Sequence, residues 1–270
     1  MPYNLNGRNV LITGGSRGLG AVVAQKFAAE GCNIAINFAS RAEPANELAT
    51  QLKTKYNVMT VVIQGDAGSM KDCERMVETT INTFGGIDVV IGNAGWTKFS
   101  TFGDLTALTE EDWDKCWAVN VKGQLALLRA ALPTFNANID GGVFIITSSI
   151  AGVAQSGSSM AYSVTKAAQL HLMKCLARTQ GAKVRVNAVL PGLLLTEWGS
   201  KYSDEAIKAM EEKAALKKVT DLDDCADAYV LIAKNGSMTG QQITVGESKH
   251  LLFGNGVSLT RLDAGLIIGA

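Results

Sequence analysis

The sequence predicts an α/β fold: a doubly wound parallel sheet of about seven strands with helices on both faces, in a single domain over residues 1–270. Three observations predict it. Short apolar, β-branched runs alternate with longer stretches of helical periodicity, the pattern of strands buried on both faces and joined by crossover helices. A glycine-rich turn lies where the first such strand meets the first helix. No linker, low-complexity tract or internal repeat interrupts the 270 residues, a length that buries a large core without staples.

The elements follow in order. Asn9–Thr13 (NVLIT) reads as the first strand. Gly18–Glu30 carries Leu19, Val22, Val23 and Phe27 at helical spacing, and Gly31 is placed to end that helix. Asn33–Phe38 is the second strand and Glu43–Tyr56 the second helix. Val58–Ile63, Ser69–Phe84 and Ile87–Gly92 continue the alternation as strand, helix and strand. Gly142–Ser148 and Val184–Leu190 repeat the strand pattern, each after a long helical stretch. Right-handed crossovers turn this succession into a Rossmann-like sheet.

Composition narrows the function classes. With 47% hydrophobic and 19% charged residues the chain is a folded protein and not a disordered one. A formal net charge of zero gives no general attraction for nucleic acid or an anionic membrane. The five cysteines (Cys32, Cys73, Cys116, Cys175, Cys225) are odd in number and scattered, without a CxxC pair. They suggest neither a disulfide framework nor a zinc site, and read as reduced thiols in a cytoplasmic setting. His171 and His250 are expected to be packing or surface residues, so no metal is expected. Met1–Asn9 lacks the pattern of a secretory leader, and no apolar run approaches the ~20 residues of a membrane span.

The turn reads Thr13-Gly14-Gly15-Ser16-Arg17-Gly18-Leu19-Gly20. Gly14, Gly18 and Gly20 permit a tight turn, close approach of a ligand and close helix–strand packing. The helix that follows offers unpaired N–H groups and its positive dipole end to a pyrophosphate, with Ser16, Arg17 and Leu19 beside it. A dinucleotide cofactor is therefore expected. An acidic residue about 20 positions on would bind a free ribose 2′-OH, but Asn37-Phe38-Ala39-Ser40-Arg41 has no carboxylate. Arg17 and Arg41 can instead flank a 2′-phosphate, with Ser40 donating to it, which favours NADP(H) over NAD(H). The plainer alternative makes Arg41 a solvated residue at a helix start.

Tyr162 and Lys166 are four apart in a helical stretch and share a face. Ser149 ends an apolar strand ahead of them, and Asn120 lies in the helical segment Val119–Gly123. A Tyr-x-x-x-Lys pair alone would usually mean an ordinary helix. Together with the glycine turn, however, the set resembles the short-chain dehydrogenase/reductase family over nearly the whole chain. The resemblance is carried by Thr13–Gly20, Asp66, Asn93-Ala94-Gly95, Asn120, Ser149, Tyr162, Lys166, Pro191-Gly192 with Thr196, and Thr239-Gly240-Gln241.

The resemblance implies a role for each residue. Asp66, with Ala67 beside it, would take the adenine amine; Asn93, Ala94 and Gly95 would line the adenosine side. Pro191 and Gly192 would lead into a loop whose Leu194 backbone and Thr196 hold the nicotinamide carboxamide. Ser149 and Tyr162 would polarise a carbonyl oxygen, Tyr162 would deliver the proton, and Ser148 would be backbone support. Lys166 would bind the nicotinamide ribose and lower the tyrosine pKa: an ammonium ~4 Å away at an effective dielectric of ~20 is worth up to ~4 kcal/mol, about three pK units. Asn120 would hold a water linking Lys166 to solvent.

These roles imply an oxidoreductase that interconverts a carbonyl and a secondary alcohol. Leu193, Leu195, Trp198, Tyr202 and Trp96 suggest a free apolar or cyclic ketone, although half of them could be lid packing. Reduction of a 3-oxoacyl thioester stays open, though Pro133–Gly142 lacks the basic residues common in such reductases. A catalytically silent NADP(H)-binding regulator also stays open, with the complete Asn120, Ser149, Tyr162, Lys166 set against it. Ala161, Ala167 and Ala168 permit close helix–helix approach, as in the family's dimer interface, so a homodimer or homotetramer is expected. The ending Val245-Gly246-Glu247-Ser248 departs from the family pattern. The apolar tail extension over 250–270 is expected to pack on a neighbouring subunit or to cover the cleft.

Overall fold

A computed structural model describes residues 3–246. In chain order the elements are β1 (Asn9–Ile12), α1 (Gly18–Ala29), β2 (Asn33–Phe38), α2 (Glu43–Tyr56), β3 (Thr60–Gln64), α3 (Met70–Phe84) and β4 (Val89–Gly92). They continue with α4 (Glu110–Trp117), α5 (Gly123–Ala137), β5 (Gly142–Thr147), α6 (Met160–Gln180), β6 (Val184–Pro191), α7 (Asp204–Lys213), α8 (Leu222–Lys234) and β7 (Gln242–Val245). The strands form one sheet in the order β3-β2-β1-β4-β5-β6-β7, every pair parallel. This is the doubly wound architecture expected from the alternation. The tail over 250–270, with His250 and the Glu247-Ser248 departure, lies outside the described residues.

Alternation along the strands supplies both faces of the core. In β1, Val10 and Ile12 pack with α1, α2 and α8, while Leu11 packs on the opposite face with α3, α5 and α6. Each fully buried aliphatic or aromatic side chain contributes about 1.5–3 kcal/mol, so both layers must be filled for the sheet to persist. Local signals set the helix ends. Ser69 accepts from Asp72 N to cap α3, Thr109 forms a capping box on α4, and Ser159 accepts from Tyr162 N to start α6.

Two boundaries differ instructively from the sequence pattern. β4 begins at Val89, two residues later than Ile87, although Asp88 N already donates to Asn9 O and Asp88 O accepts from Val143 N; the buried Asp88 carboxylate accepts from Asn9 N and pairs with Arg8. The helical segment around Asn120 is not regular: residues Ala118–Lys122 form a π-type turn between α4 and α5. Such turns recur at functional sites because they re-aim one side chain without ending the helix.

Candidate active site

All seven strands point their carboxyl ends the same way, so the loops that follow them gather along one edge. The strand order reverses between β1 and β4, and a cleft of about 1010 Å³ opens there. It is lined by Gly14, Ser16, Arg17, Gly18, Leu19, Gly20, Ser40, Arg41, Asp66, Ala67, Asn93, Ala94 and Gly95 on one side. Ser149, Tyr162, Lys166, Pro191, Gly192, Leu194 and Thr196 line the other. Of the residues singled out in the sequence for cofactor or catalysis, Asn120 alone lies behind the wall, fully buried.

The glycine turn is held by its neighbours as well as by its own backbone. Gly14 and Gly18 have φ of +59° and +51°, values that favour glycine. A Cβ on Gly20 would lie 2.3 Å from Gly14 O and 2.7 Å from Asn93 Nδ2. Asn93 Nδ2 donates to Thr13 O and Gly14 O at 3.0 and 3.1 Å. Asn37, not anticipated as a site residue, accepts from Gly14 N at 3.0 Å through Oδ1 and donates to Gly65 O. Arg17, at the start of α1, makes no side-chain cap, and the first turn of α1 has no acidic residue. Its N–H groups therefore face the cleft as an anion site. Gly20→Ala forces the turn away from Asn93. The expected cost is about 1–3 kcal/mol, visible as a lower unfolding midpoint in urea together with weaker binding of adenine dinucleotides; unchanged values for both would show that the turn can yield.

Asp66 lines the cleft just beyond the end of β3. Its Oδ2 accepts from Lys115 Nζ at 2.7 Å and its Oδ1 from Gly68 N at 2.8 Å, and these donors hold the carboxyl below its ordinary range. Lys115 was not anticipated in the sequence; it reaches Asp66 from α4, 49 residues away.

One strand and one helix bring the candidate catalytic groups together: β5 leads into Ser149, and α6 carries Tyr162 and Lys166. Ser149, after β5, accepts from Ala151 N at 3.1 Å and lies close enough to the Tyr162 phenol to lower its pKa. Ser148 donates to Lys166 O at 3.0 Å, the backbone support expected of it. Lys166 is only 2% exposed, donates to Thr147 O at 2.8 Å, and lies 5.3 Å from the Tyr162 ring centre. Burial without a carboxylate partner lowers its pKa to about 7. Burial also raises the Tyr162 phenol above its ordinary value, against the opposing Ser149 hydrogen bond. The lowering of the tyrosine by a charged lysine, expected from a simple charge argument, is not what the structure gives: burial raises the phenol, and Ser149 is the group that opposes the rise.

Asn120 is held firmly. Its Oδ1 accepts from Trp96 N at 2.8 Å, and its Nδ2 donates to Trp96 O and Thr165 Oγ1 at 3.0 and 2.9 Å. Gln169 Nε2 donates to Asn120 O at 2.5 Å, which leaves that carbonyl one lone pair. Gly95 connects the two: a Cβ there would sit 3.5 Å from Lys166 Nζ and 3.6 Å from Asn120 Oδ1.

Trp198 packs against Tyr162 with ring centres 5.7 Å apart, and Tyr202 meets Phe99 edge-on at 5.1 Å. Leu193, Trp198, Tyr202 and Trp96 line the cleft as expected. Leu195 does not; it is 56% exposed, because Thr196 N turns back to Leu194 O and directs the intervening side chain outward. The thiols of Cys32, Cys73, Cys116 and Cys225 are buried and their pKa values raised, as structural cysteines require. Among the described residues there is no cluster able to hold a metal ion, and no helix is long and apolar enough to cross a membrane.

Comparison with known proteins gives the same class. A family model described as enoyl-(acyl carrier protein) reductase matches residues 14–247. Over 244 residues the chain is 33% identical to a Streptomyces violaceoruber protein named after ketoacyl reductase 2 of the granaticin polyketide synthase, covering 90% of this chain and 96% of that one. A short-chain dehydrogenase of Burkholderia cenocepacia J2315, solved in complex with NADP, shares 28% identity at a TM-score of 0.83, over 90% of this chain and 98% of that one. The NADPH-dependent 3-quinuclidinone reductase of Rhodotorula rubra shares 27% identity at a TM-score of 0.82, over 90% and 91%. The chain belongs to the short-chain dehydrogenase/reductase family, and it is an oxidoreductase of that type.

Proposed function

We propose that this enzyme uses NADP(H) to interconvert a ketone and a secondary alcohol, acting on a free apolar or cyclic small molecule. The observation that carries the cofactor assignment is the convergence of Arg17 and Arg41. Their guanidiniums come from the glycine turn and from the segment after β2, and they reach the same carboxylate oxygen, Glu197 Oε2. Two cations aimed at one point, next to a strand end without an acid, suit a 2′-phosphate and not a free ribose hydroxyl. The glycine cradle and the uncapped start of α1 suit the pyrophosphate. Both fit the cofactor named for the two solved relatives, one in complex with NADP and one NADPH-dependent.

The bound nicotinamide supplies or accepts the hydride. The chain's own residues do the rest. Ser149 and the Tyr162 hydroxyl donate to the substrate oxygen as charge grows on it, and Tyr162 releases its proton there. Lys166, buried beside the Tyr162 ring, holds the ribose and, once charged, favours the phenolate. Asn120 positions the Trp96 backbone and the floor of the site. Trp198, Tyr202 and Leu193 exclude water and present an apolar wall.

The cofactor assignment is tested by direct binding. Hydrogen bonds to charged groups contribute about 1.5–3 kcal/mol, roughly tenfold to a hundredfold in affinity. NADPH is expected to bind the parent that much more tightly than NADH, and Arg41→Ala to narrow the gap. Equal affinities in the parent would remove the assignment. A 3-oxoacyl thioester is the second reading, favoured by the name of the Streptomyces relative. Parallel assays on an N-acetylcysteamine 3-oxoacyl thioester and on bicyclic ketones separate the two by kcat/KM.

A homodimer or homotetramer in the cytoplasm completes the proposal. Ala167 is exposed and Ala168 partly exposed on α6, so both can meet a partner helix. Ala161, expected to join them, is buried within the protomer and cannot.

A further inference from the structure

The contact between Glu197 and the two arginines has a role of its own, and the inference rests on the NADP(H) reading above. Glu197 belongs to the loop after β6, between Thr196 and Trp198. Its Oε2 accepts from Arg17 Nη1 and, at 2.7 Å, from Arg41 Nη2. No other carboxylate pairs with either guanidinium among the described residues. We propose that Glu197 is an internal competitor for the 2′-phosphate: it occupies the arginine pair in the free enzyme and must be expelled when the phosphate arrives, which sets how tightly the enzyme holds 2′-phosphorylated cofactors.

Charge and exposure decide which anion wins. Two guanidiniums carry two positive charges, and one carboxylate offsets only one of them. A phosphate monoester brings about −1.5 to −2 charges and three acceptor oxygens, so it satisfies both forks where the carboxylate bridges them through one oxygen. Glu197 is 63% exposed at its side chain, and exposed ion pairs are individually weak. The competitor is therefore displaceable, but it is not free of consequence. Ligands lacking the 2′-phosphate have no reason to disturb it.

The test is calorimetric titration of the full chain and of Glu197→Gln with adenosine 2′,5′-bisphosphate and adenosine 5′-monophosphate, which differ only in the 2′-phosphate. Glutamine keeps the size of the side chain and removes its charge. The bisphosphate is expected to bind the variant roughly fivefold to tenfold more tightly than the parent, from the loss of two weak pairs, with the monophosphate unchanged within about twofold. A parent that prefers the bisphosphate by the margin given above, alongside a variant with unchanged affinity for it, overturns the competitor role and leaves the cofactor assignment standing. Equal tightening of both ligands also overturns it, because the effect would then be general electrostatics of the cleft. A parent that binds both ligands equally overturns the cofactor assignment and the competitor role together.

Discussion

Replacing Tyr162 by phenylalanine is expected to lower single-turnover hydride transfer by at least the ~10²–10⁴-fold typical of general acid–base catalysis, with cofactor affinity nearly unchanged. The ring keeps its packing against Trp198, and Ser149 keeps the Ala151 N–H that it caps. Only the proton and its hydrogen bond are lost. The adenosine and pyrophosphate contacts assigned to Asp66, the glycine turn and the arginine pair lie on the other side of the cleft and do not involve the phenol. Near-parent rates in this variant would mean that the proton comes from another group, and the catalytic assignment would have to be redrawn.

Lys166 gives the second large effect, and it depends on pH. In the free protein its pKa is lowered to about 7, against an ordinary value of 10.5. Below about pH 7 both folded and unfolded chains carry the proton, and the folded state bears the full burden of a buried ammonium. Between about 7 and 10.5 the unfolded chain is protonated and the folded chain is not, so this residue's contribution to stability improves as pH rises. Measured as the difference between parent and Lys166→Met in urea unfolding, the gain from pH 7 to pH 10 is expected to reach up to about 4 kcal/mol. A flat difference would show that the lysine stays charged when buried. The same depression predicts proton uptake when the anionic cofactor binds at pH 8, read as a binding enthalpy that changes with the ionisation enthalpy of the buffer. Lys166→Met abolishes that uptake and damages both cofactor binding and turnover.

The parts of the site that were legible in the sequence are those whose geometry is local. Gly14 and Gly18 announce a turn because their backbone favours glycine, Gly20 marks a close approach that a Cβ would block, and Tyr162 and Lys166 announce a shared face because a helix repeats every 3.6 residues. The sheet itself was legible because strands buried on both faces leave wholly apolar runs. Asn37, Lys115, Gln169 and Glu197 carry no comparable local signal. Each acts through a partner 23 to 180 residues away, so its role exists only after the strands have gathered their loops at one edge. The π-type turn at Asn120 was hidden for the same reason: Trp96 and Thr165, which hold the Asn120 side chain, lie outside that segment. Leu195 misled because a loop lacks a period from which to infer direction. Lys166 was legible as a residue, yet its charge state was not, since burial is a property of the finished fold.

The segment after β6 leaves and re-enters the body through a narrow neck. Thr220 N donates to Leu193 O at 3.1 Å, and Gly192 and Gly246 pack so closely behind it that a Cβ on Gly192 would lie 2.4 Å from Thr220 Oγ1. Between them, Leu194 packs against the core and Gly199 and Ala214 are buried, but α7 has no buried residue. Such a neck makes the segment an exchangeable cassette. The entropy of closing it depends only logarithmically on length, so doubling the insert costs about 0.6 kcal/mol, little beside the folding energy of a domain. Grafts from relatives joined at Leu193 and Thr220 that retain Leu194, Thr196 and Glu197 can therefore reshape what the cleft admits while the seven-stranded frame goes on folding as before.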